Sequence, residues 1–210
     1  MSDFDAPVVA WAAGKDDPTR PLVVLLHGRG SHEQDIIGLG GHLPEGPSYA
    51  AVRAPIAEGG GYAWFANRGI GRPVAESLAA TTAWFRTWLG EVAPGGRSVV
   101  LVGFSGGAAF AGALVLGDPS RFTGTAILHG TLPFEDAGAD VSGGRLSGRP
   151  VLLVHGELDH VIPVELQART WSWLHDASGA VVTSRRDPGG HALSAATVDA
   201  LGEWIAGLVS

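Results

Sequence analysis

Short apolar runs punctuate the chain at Val8–Ala12, Leu22–His27, Tyr49–Arg53, Ser98–Phe104, Thr125–His129, Val151–His155 and Ala180–Arg185. Each closes on glycine or another turn signal, and several lack the polar alternation of a half-exposed strand. Uninterrupted apolar strands of this length belong to a parallel sheet covered on both faces. Between them the spacing changes to that of helices, over Glu33–His42, Val74–Val92, Gly106–Leu116, Pro163–Asp176 and Leu193–Leu208. Ser31 and Gln34 read as a capping box for the first helix, and Pro163 suits the first turn of the fourth. Ala83, Trp84, Trp88 and Leu89 repeat at helical spacing, the pattern of a helix packed on a sheet.

Strand and helix in alternation predict a three-layer α/β sandwich with a mostly parallel sheet, its first strand pair free to run antiparallel. No linker divides the 210 residues, so one domain is expected over 1–210. Thr131–Gly148 is the loosest stretch and reads as a short surface excursion, too small to be a separate domain. Three apolar runs end in His-Gly, at His27-Gly28, His129-Gly130 and His155-Gly156. In an open parallel sheet the carboxyl ends of the strands form the ligand-facing rim, so these turns are expected on one edge. His129 and His155 read there as structural hydrogen-bonding groups.

Composition narrows the chemistry. Glycine is 32 of 210 residues, about twice the usual share, yet 45% of residues are apolar and seven are Trp. A folded core is therefore expected, with the glycines in turns and close approaches; Gly59–Gly61 carries no assignment. The net charge of −7, with Lys15 the single lysine and Arg185-Arg186 the densest basic pair, excludes a nucleic-acid-binding stripe. The absence of cysteine removes disulfides, thiolate metal sites and a thiol nucleophile. The acidic start of the chain lacks a signal-peptide core, and Leu22–Leu26 is too short to span a membrane. A soluble, cytoplasmic protein without membrane insertion is expected.

Gly103-Phe104-Ser105-Gly106-Gly107 fits G-x-S-x-G, a pattern that a glycine-rich chain produces cheaply by chance. Context strengthens it. Val99–Val102 precedes as a strand, and the small residues Ala108–Ala113 follow as a helix, placing Ser105 on a tight strand-to-helix turn above a helix N-terminus. A serine needs a base, and the base needs an orienting acid. In chain order Ser, acid, His, the strand-end acids are Glu157 and Asp159, of which Asp159 is preferred; Asp136 and Asp140 fall in the loose region and read as solvated. Among the downstream histidines, His155 precedes those acids, His160 adjoins Asp159, and His175 sits beside Trp171 on a helix. His191, after Asp187-Pro188-Gly189-Gly190 and before the last helix, can reach the rim. Ser105, Asp159 and His191 are therefore the candidate catalytic set. The oxyanion donors are the amides of Gly106 and, from the first rim loop, Arg29. The Arg29 side chain reads as solvent-facing or paired with Glu33 or Asp35, in preference to meeting an anionic substrate group.

Four ordered blocks then carry a resemblance: Leu25–Gly30 with Asp35; Arg53-Ala54-Pro55 through Gly61–Phe65; Gly103–Gly107; and His155–Asp159 followed by Gly190-His191. Over about Leu22–Leu208 the chain resembles the phospholipase/carboxylesterase family of α/β-hydrolases, which includes acyl-protein thioesterase-like enzymes. The resemblance implies an α/β-hydrolase sandwich without a large cap, with Ser105, Asp159 and His191 catalytic and the amides of Arg29 and Gly106 as the oxyanion hole. It further implies Tyr62, Trp64, Phe65 and Leu132 near the substrate groove. The family usually carries Gln after the serine, where this chain has Gly106, which bears on substrate preference. The expected function is hydrolysis of small short- to medium-chain carboxylic esters, with thioesters or lysophospholipids compatible, and no metal or other cofactor is required. Lactone or carbon–carbon bond hydrolysis on the same scaffold, or a non-catalytic small-molecule-binding homologue, are the alternatives. A homodimer is compatible with all of these readings.

Overall fold

The apolar runs become strands stacked between two helical layers. The computed structural model describes residues 4–134 and 140–209. In chain order the elements are β1 (Val9–Trp11), β2 (Leu22–Leu26), α1 (Glu33–Ile37), β3 (Ser48–Val52), β4 (Ile56–Glu58), β5 (Gly61–Ala63), α2 (Ala75–Val92) and β6 (Val99–Phe104). They continue as α3 (Gly106–Gly117), β7 (Gly124–Leu128), β8 (Pro150–Gly156), α4 (Val164–Ser172), β9 (Val181–Asp187) and α5 (Ala195–Val209). Seven strands form one sheet in the order β1-β3-β2-β6-β7-β8-β9. All neighbours are parallel except the edge pair, where β1 runs antiparallel to β3.

The central strands are apolar throughout because both faces are covered. Leu22, Val24 and Leu26 face one layer with Trp84, Phe85, Trp88 and Leu89 of α2 and Phe110 and Leu114 of α3. Val23 and Leu25 face the other, with Ile36, Leu201 and Ile205. Trp64 stacks on Phe110 (centroids 4.5 Å, 13°), and Phe85 meets that ring edge-on at 5.6 Å. Each large side chain so buried contributes about 1.5–3 kcal/mol. Among the described residues no helix is long and apolar enough to cross a membrane.

The structure differs from the sequence reading in local chemistry. The first helix is short: α1 stops at Ile37 and a 3-10 turn, Gly38–Gly41, follows, since three glycines in four residues weaken α-helix continuation. Its cap lies one residue later than the Ser31–Gln34 pair. The Asp35 carboxylate accepts from the His32 N–H (3.2 Å) and the Ser31 hydroxyl (2.6 Å). The β4–β5 hairpin was not anticipated. Gly59-Gly60 form its two-residue turn, with φ of +60° and +87°, values that the turn requires and glycine supplies.

Gly103 and Gly107 mark where β6 and α3 come closest. A Cβ on Gly107 would stand 2.2 Å from the Leu26 carbonyl oxygen, and one on Gly103 would stand 2.3 Å from that of Gly107. Neither neighbour can move aside, because both are backbone. Gly107→Ala is therefore expected to cost at least about 3 kcal/mol, a fall in Tm of about 6–12 °C. Gly90→Ala, on the exposed side of α2 with nothing near its Cβ, is expected to raise stability by up to about 1 kcal/mol. Thermal unfolding of the two variants checks both.

Candidate active site

Ser105 occupies the single residue between β6 and α3, with φ +55° and ψ −116°. Its N–H donates to the Leu128 carbonyl (2.9 Å), which ties the turn to β7. The side chain points to the rim, where His191 Nε2 lies 2.8 Å from Ser105 Oγ. The same ring presents Nδ1 to Asp159 Oδ2 at 2.9 Å. One tautomer satisfies both contacts: Nδ1–H donates to the carboxylate, and Nε2 accepts from the hydroxyl.

Asp159 follows β8 in a tight turn, and its other oxygen, Oδ1, accepts the amides of Val161 (2.9 Å) and Ile162 (3.0 Å). Its side chain is only 1% exposed. Burial raises its pKa, but the His191 ring and the Ile162 and Val161 amides outweigh it, so the carboxyl titrates below its ordinary range. Glu157, the other strand-end candidate, is exposed. Asp140 is paired with Arg145, and Asp136 lies outside the described residues.

The loop carrying His191 is held by a carboxylate to which the sequence reading gave no role. Asp187, buried at the end of β9, accepts the Gly189 amide (2.7 Å), the Thr197 hydroxyl (2.5 Å) and the Ser194 hydroxyl. Three donors to one buried carboxylate, two of them beyond His191, fold the loop back toward the rim. The Leu158 amide adds a bond to the Gly189 carbonyl (3.0 Å), joining this loop to that of Asp159. The close approach leaves no room for a side chain at Gly156, where a Cβ would meet the Gly190 oxygen at 2.5 Å.

The first rim loop comes from the other side. An added Cβ at Gly106 would stand 3.3 Å from the Arg29 nitrogen, so the two backbone segments lie side by side. Gly106 is the first residue of α3, where an N–H has no intrahelical partner. His27 shapes the loop: Nδ1–H donates to the Gly28 carbonyl (2.8 Å), and Nε2 accepts from the Ala54 amide (3.0 Å). Burial lowers the His27 pKa, in keeping with this neutral tautomer. The unanticipated hairpin braces the loop from outside, through Gly30 N–H to Tyr62 O (2.9 Å) and Tyr62 N–H to Ser31 O (3.0 Å). The only signal for it was the Gly-Gly pair.

The Arg29 side chain neither faces solvent alone nor pairs with Glu33 or Asp35. It forms a bidentate pair with Glu58 of β4 and donates to the Phe65 carbonyl (3.0 Å). Glu33 is instead the partner of Arg53. Of the aromatic groove candidates, Phe65 lines the cavity over Ser105, a space of about 340 Å3 bounded also by Ile70, Pro73, Ala109 and Ile162. Tyr62, Trp64 and Leu132 lie outside that lining. Trp64 is core and donates to the His27 carbonyl (2.8 Å), Leu132 packs against Gly112, and Tyr62 lies under Arg53. The sister histidines part ways. His155 Nε2 donates to the Gly130 carbonyl (3.2 Å), whereas His129 makes no ring hydrogen bond among the described residues, contrary to the expectation for it. A larger cavity of about 450 Å3, between α4 and β9, shares no lining residue with the one over Ser105.

A parallel sheet in this strand order, with helices on both faces and a serine at a strand-to-helix turn, defines an α/β-hydrolase. The chain belongs to the phospholipase/carboxylesterase family, whose sequence pattern matches residues 9–208, and it is an enzyme of the serine ester hydrolase type. It is 27% identical over 188 residues to "Putative hydrolase MhqD" of Bacillus subtilis (strain 168), covering 87% of this chain and 91% of that protein. The Bacillus cereus carboxylesterase shares the fold at TM-score 0.82 and 23% identity, over 96% of this chain and 94% of the other. The Mesorhizobium loti carboxylesterase does so at TM-score 0.82 and 24% identity, over 99% and 97%.

Asp187 yields a test of the loop's support. Hydrogen bonds from Ser194 and Thr197, with a smaller one from Gly189, overcome burial and hold its pKa below the ordinary value. Its folded pKa thus lies below the unfolded value of about 3.9. Its stabilisation is full above that value and drains away as pH falls below it. Asp187→Asn is expected to lower Tm at pH 7, with the gap from wild type narrowing from pH 5 to pH 3. Thermal melts across that range measure it.

Proposed function

We propose that the chain hydrolyses carboxylic esters through an acyl-enzyme on Ser105. The observation that carries the reading is the continuous Asp159–His191–Ser105 hydrogen-bond chain, ending on a serine raised at a left-handed turn. Ser105 Oγ attacks the ester carbonyl as its proton passes to His191 Nε2, and the carbonyl electrons move onto oxygen. The amides of Arg29 and Gly106 receive that oxyanion, favoured by the N-terminal end of α3. On collapse the ester C–O bond breaks, and the departing alkoxide takes the proton from His191. Water, deprotonated by the same nitrogen, attacks the acyl-serine, and the carboxylic acid leaves as Ser105 regains its proton. Asp159, ionised throughout, holds the imidazole in the required tautomer.

The cavity supports short- to medium-chain acyl esters, with thioesters and lysophospholipids as chemically related substrates. Phe65, Ile70, Pro73, Ala109 and Ile162 offer an apolar surface. Gly106 contributes backbone alone, so the cavity floor beside Ser105 is free of the side chain that the family usually places there. In this reading Phe65 serves the substrate, whereas Tyr62, Trp64 and Leu132 serve the scaffold. The enzyme acts in the cytoplasm on small-molecule esters.

Ser105→Ala is expected to lower kcat for an activated aryl ester by at least about 10^4-fold and to abolish labelling by a fluorophosphonate. Asp159→Asn is expected to lose about 10^3- to 10^4-fold, while Glu157→Gln stays within a few-fold. Reversed losses for these two carboxyl variants would transfer the acid's role to Glu157. Because Nε2 must be free to accept a proton, kcat/KM of the wild type is expected to fall on the acid side, approaching about tenfold per pH unit. A panel of esters, thioesters and lactones sets the preferred leaving group.

A further inference from the structure

His129 follows β7 and has no part in the reaction just described. Its side chain is wholly buried, and its φ of +46° makes it, with Ser105, one of two non-glycine residues in the left-handed region among those described. A ring-bearing residue is strained there, and strain of this kind gathers at working sites. Neither ring nitrogen has a hydrogen-bond partner among the described residues. A buried polar ring without a partner carries a desolvation cost that leucine would avoid. The position therefore works against stability twice, through backbone and through side chain.

The surroundings indicate what is gained. Nδ1 stands 3.9 Å from Asp159 Oδ2, the oxygen that accepts from His191. Oδ1 already takes two amides, while Oδ2 has a second lone pair for a further donor. An approach of roughly 1 Å would make that hydrogen bond. The ring also stands edge-on to His191 (centroids 6.2 Å, 86°) and 5.9 Å from Phe104. The backbone is fixed, with the His129 N–H on the Val154 carbonyl (2.8 Å). The charged and titratable groups around the ring are Asp159, Asp187, His191 and, on β8, His155. Burial lowers the His129 pKa and outweighs the pull of the two carboxylates, which keeps the ring a neutral donor.

We propose that His129 is a positioning residue for the Asp159–His191 pair, donating from Nδ1–H to Asp159 Oδ2 in the reacting state and holding that oxygen against the imidazole. The inference rests on the ester-hydrolase reading above. Loss of the donor leaves Oδ2 less restrained, which slows turnover, and leaves its charge undivided toward His191, which makes the pair more basic.

The test compares three variants by kcat, KM and the pH profile of kcat/KM on an aryl ester. Asn places a donor where Nδ1 was and tolerates the left-handed backbone, Gln places one where Nε2 was, and Leu has none. His129→Leu and His129→Gln are expected to lose about tenfold in kcat with KM unchanged, the acid-limb midpoint moving to higher pH. His129→Asn is expected to stay within about twofold with the wild-type midpoint. Wild-type kcat and midpoint in His129→Leu would overturn the proposal, as would equal losses in Asn and Gln with the midpoint unmoved. If His129→Leu does not fold, the Asn and Gln pair decides the matter alone. Ser105→Ala separates this failure from that of the underlying reading: turnover surviving there removes the mechanism, whereas turnover lost there and unaffected in His129→Leu removes only the role of His129.

Discussion

The molecule is organised around one backbone constraint, the left-handed conformation of Ser105 in the single residue between β6 and α3. A strand can turn into a helix so abruptly only if the flanking residues take up no space. Hence Gly103 and Gly107 sit against backbone carbonyls at distances no Cβ survives. The same turn delivers the hydroxyl to the rim and aligns the first amide of α3 beside the Arg29 loop. Position, exposure and electrostatic setting of the serine are thus one geometric fact.

What surrounds the serine is held by polar groups with buried partners. The Asp159 carboxylate is anchored by two amides of its own turn, and the His191 loop by the Asp187 carboxylate. The Arg29 loop is anchored by His27 and by the β4–β5 hairpin. Each anchor lies just outside the reacting atoms, and three loops from different parts of the chain converge at the rim of the sheet. His129 lies beside the first two, 3.9 Å from the Asp159 carboxylate and 6.2 Å from the His191 ring.

Much of this was legible in the chain. Unbroken apolar runs announced the parallel sheet because its strands are buried on both faces, and β6 and α3 were visible around Ser105 for the same reason. The chain order of serine, acid and histidine, with rim glycines beside each, singled out residues that the structure links through His191 by contacts of 2.9 and 2.8 Å. Less legible was whatever depends on which side chain meets which. Asp187 looked like one more loop acid, and nothing local told that three donors would converge on it. Glu58 was invisible as the partner of Arg29 because it sits on a hairpin announced only by Gly59-Gly60. Trp64 and Leu132 are chain neighbours of the cavity-lining Phe65 and Pro133, but their own side chains are buried in the core.

The engagement of Arg29 has a further consequence. With its guanidinium held between Glu58 and the Phe65 carbonyl, the cavity over Ser105 presents no unpaired arginine or lysine among the described residues, in a chain whose net charge is −7. A neutral ester entering such a space gains little from long-range steering, and its encounter rate is largely indifferent to ionic strength. In the proposed reaction, the carboxylate left by hydrolysis finds an apolar wall and no free cation among the described lining residues to retain it.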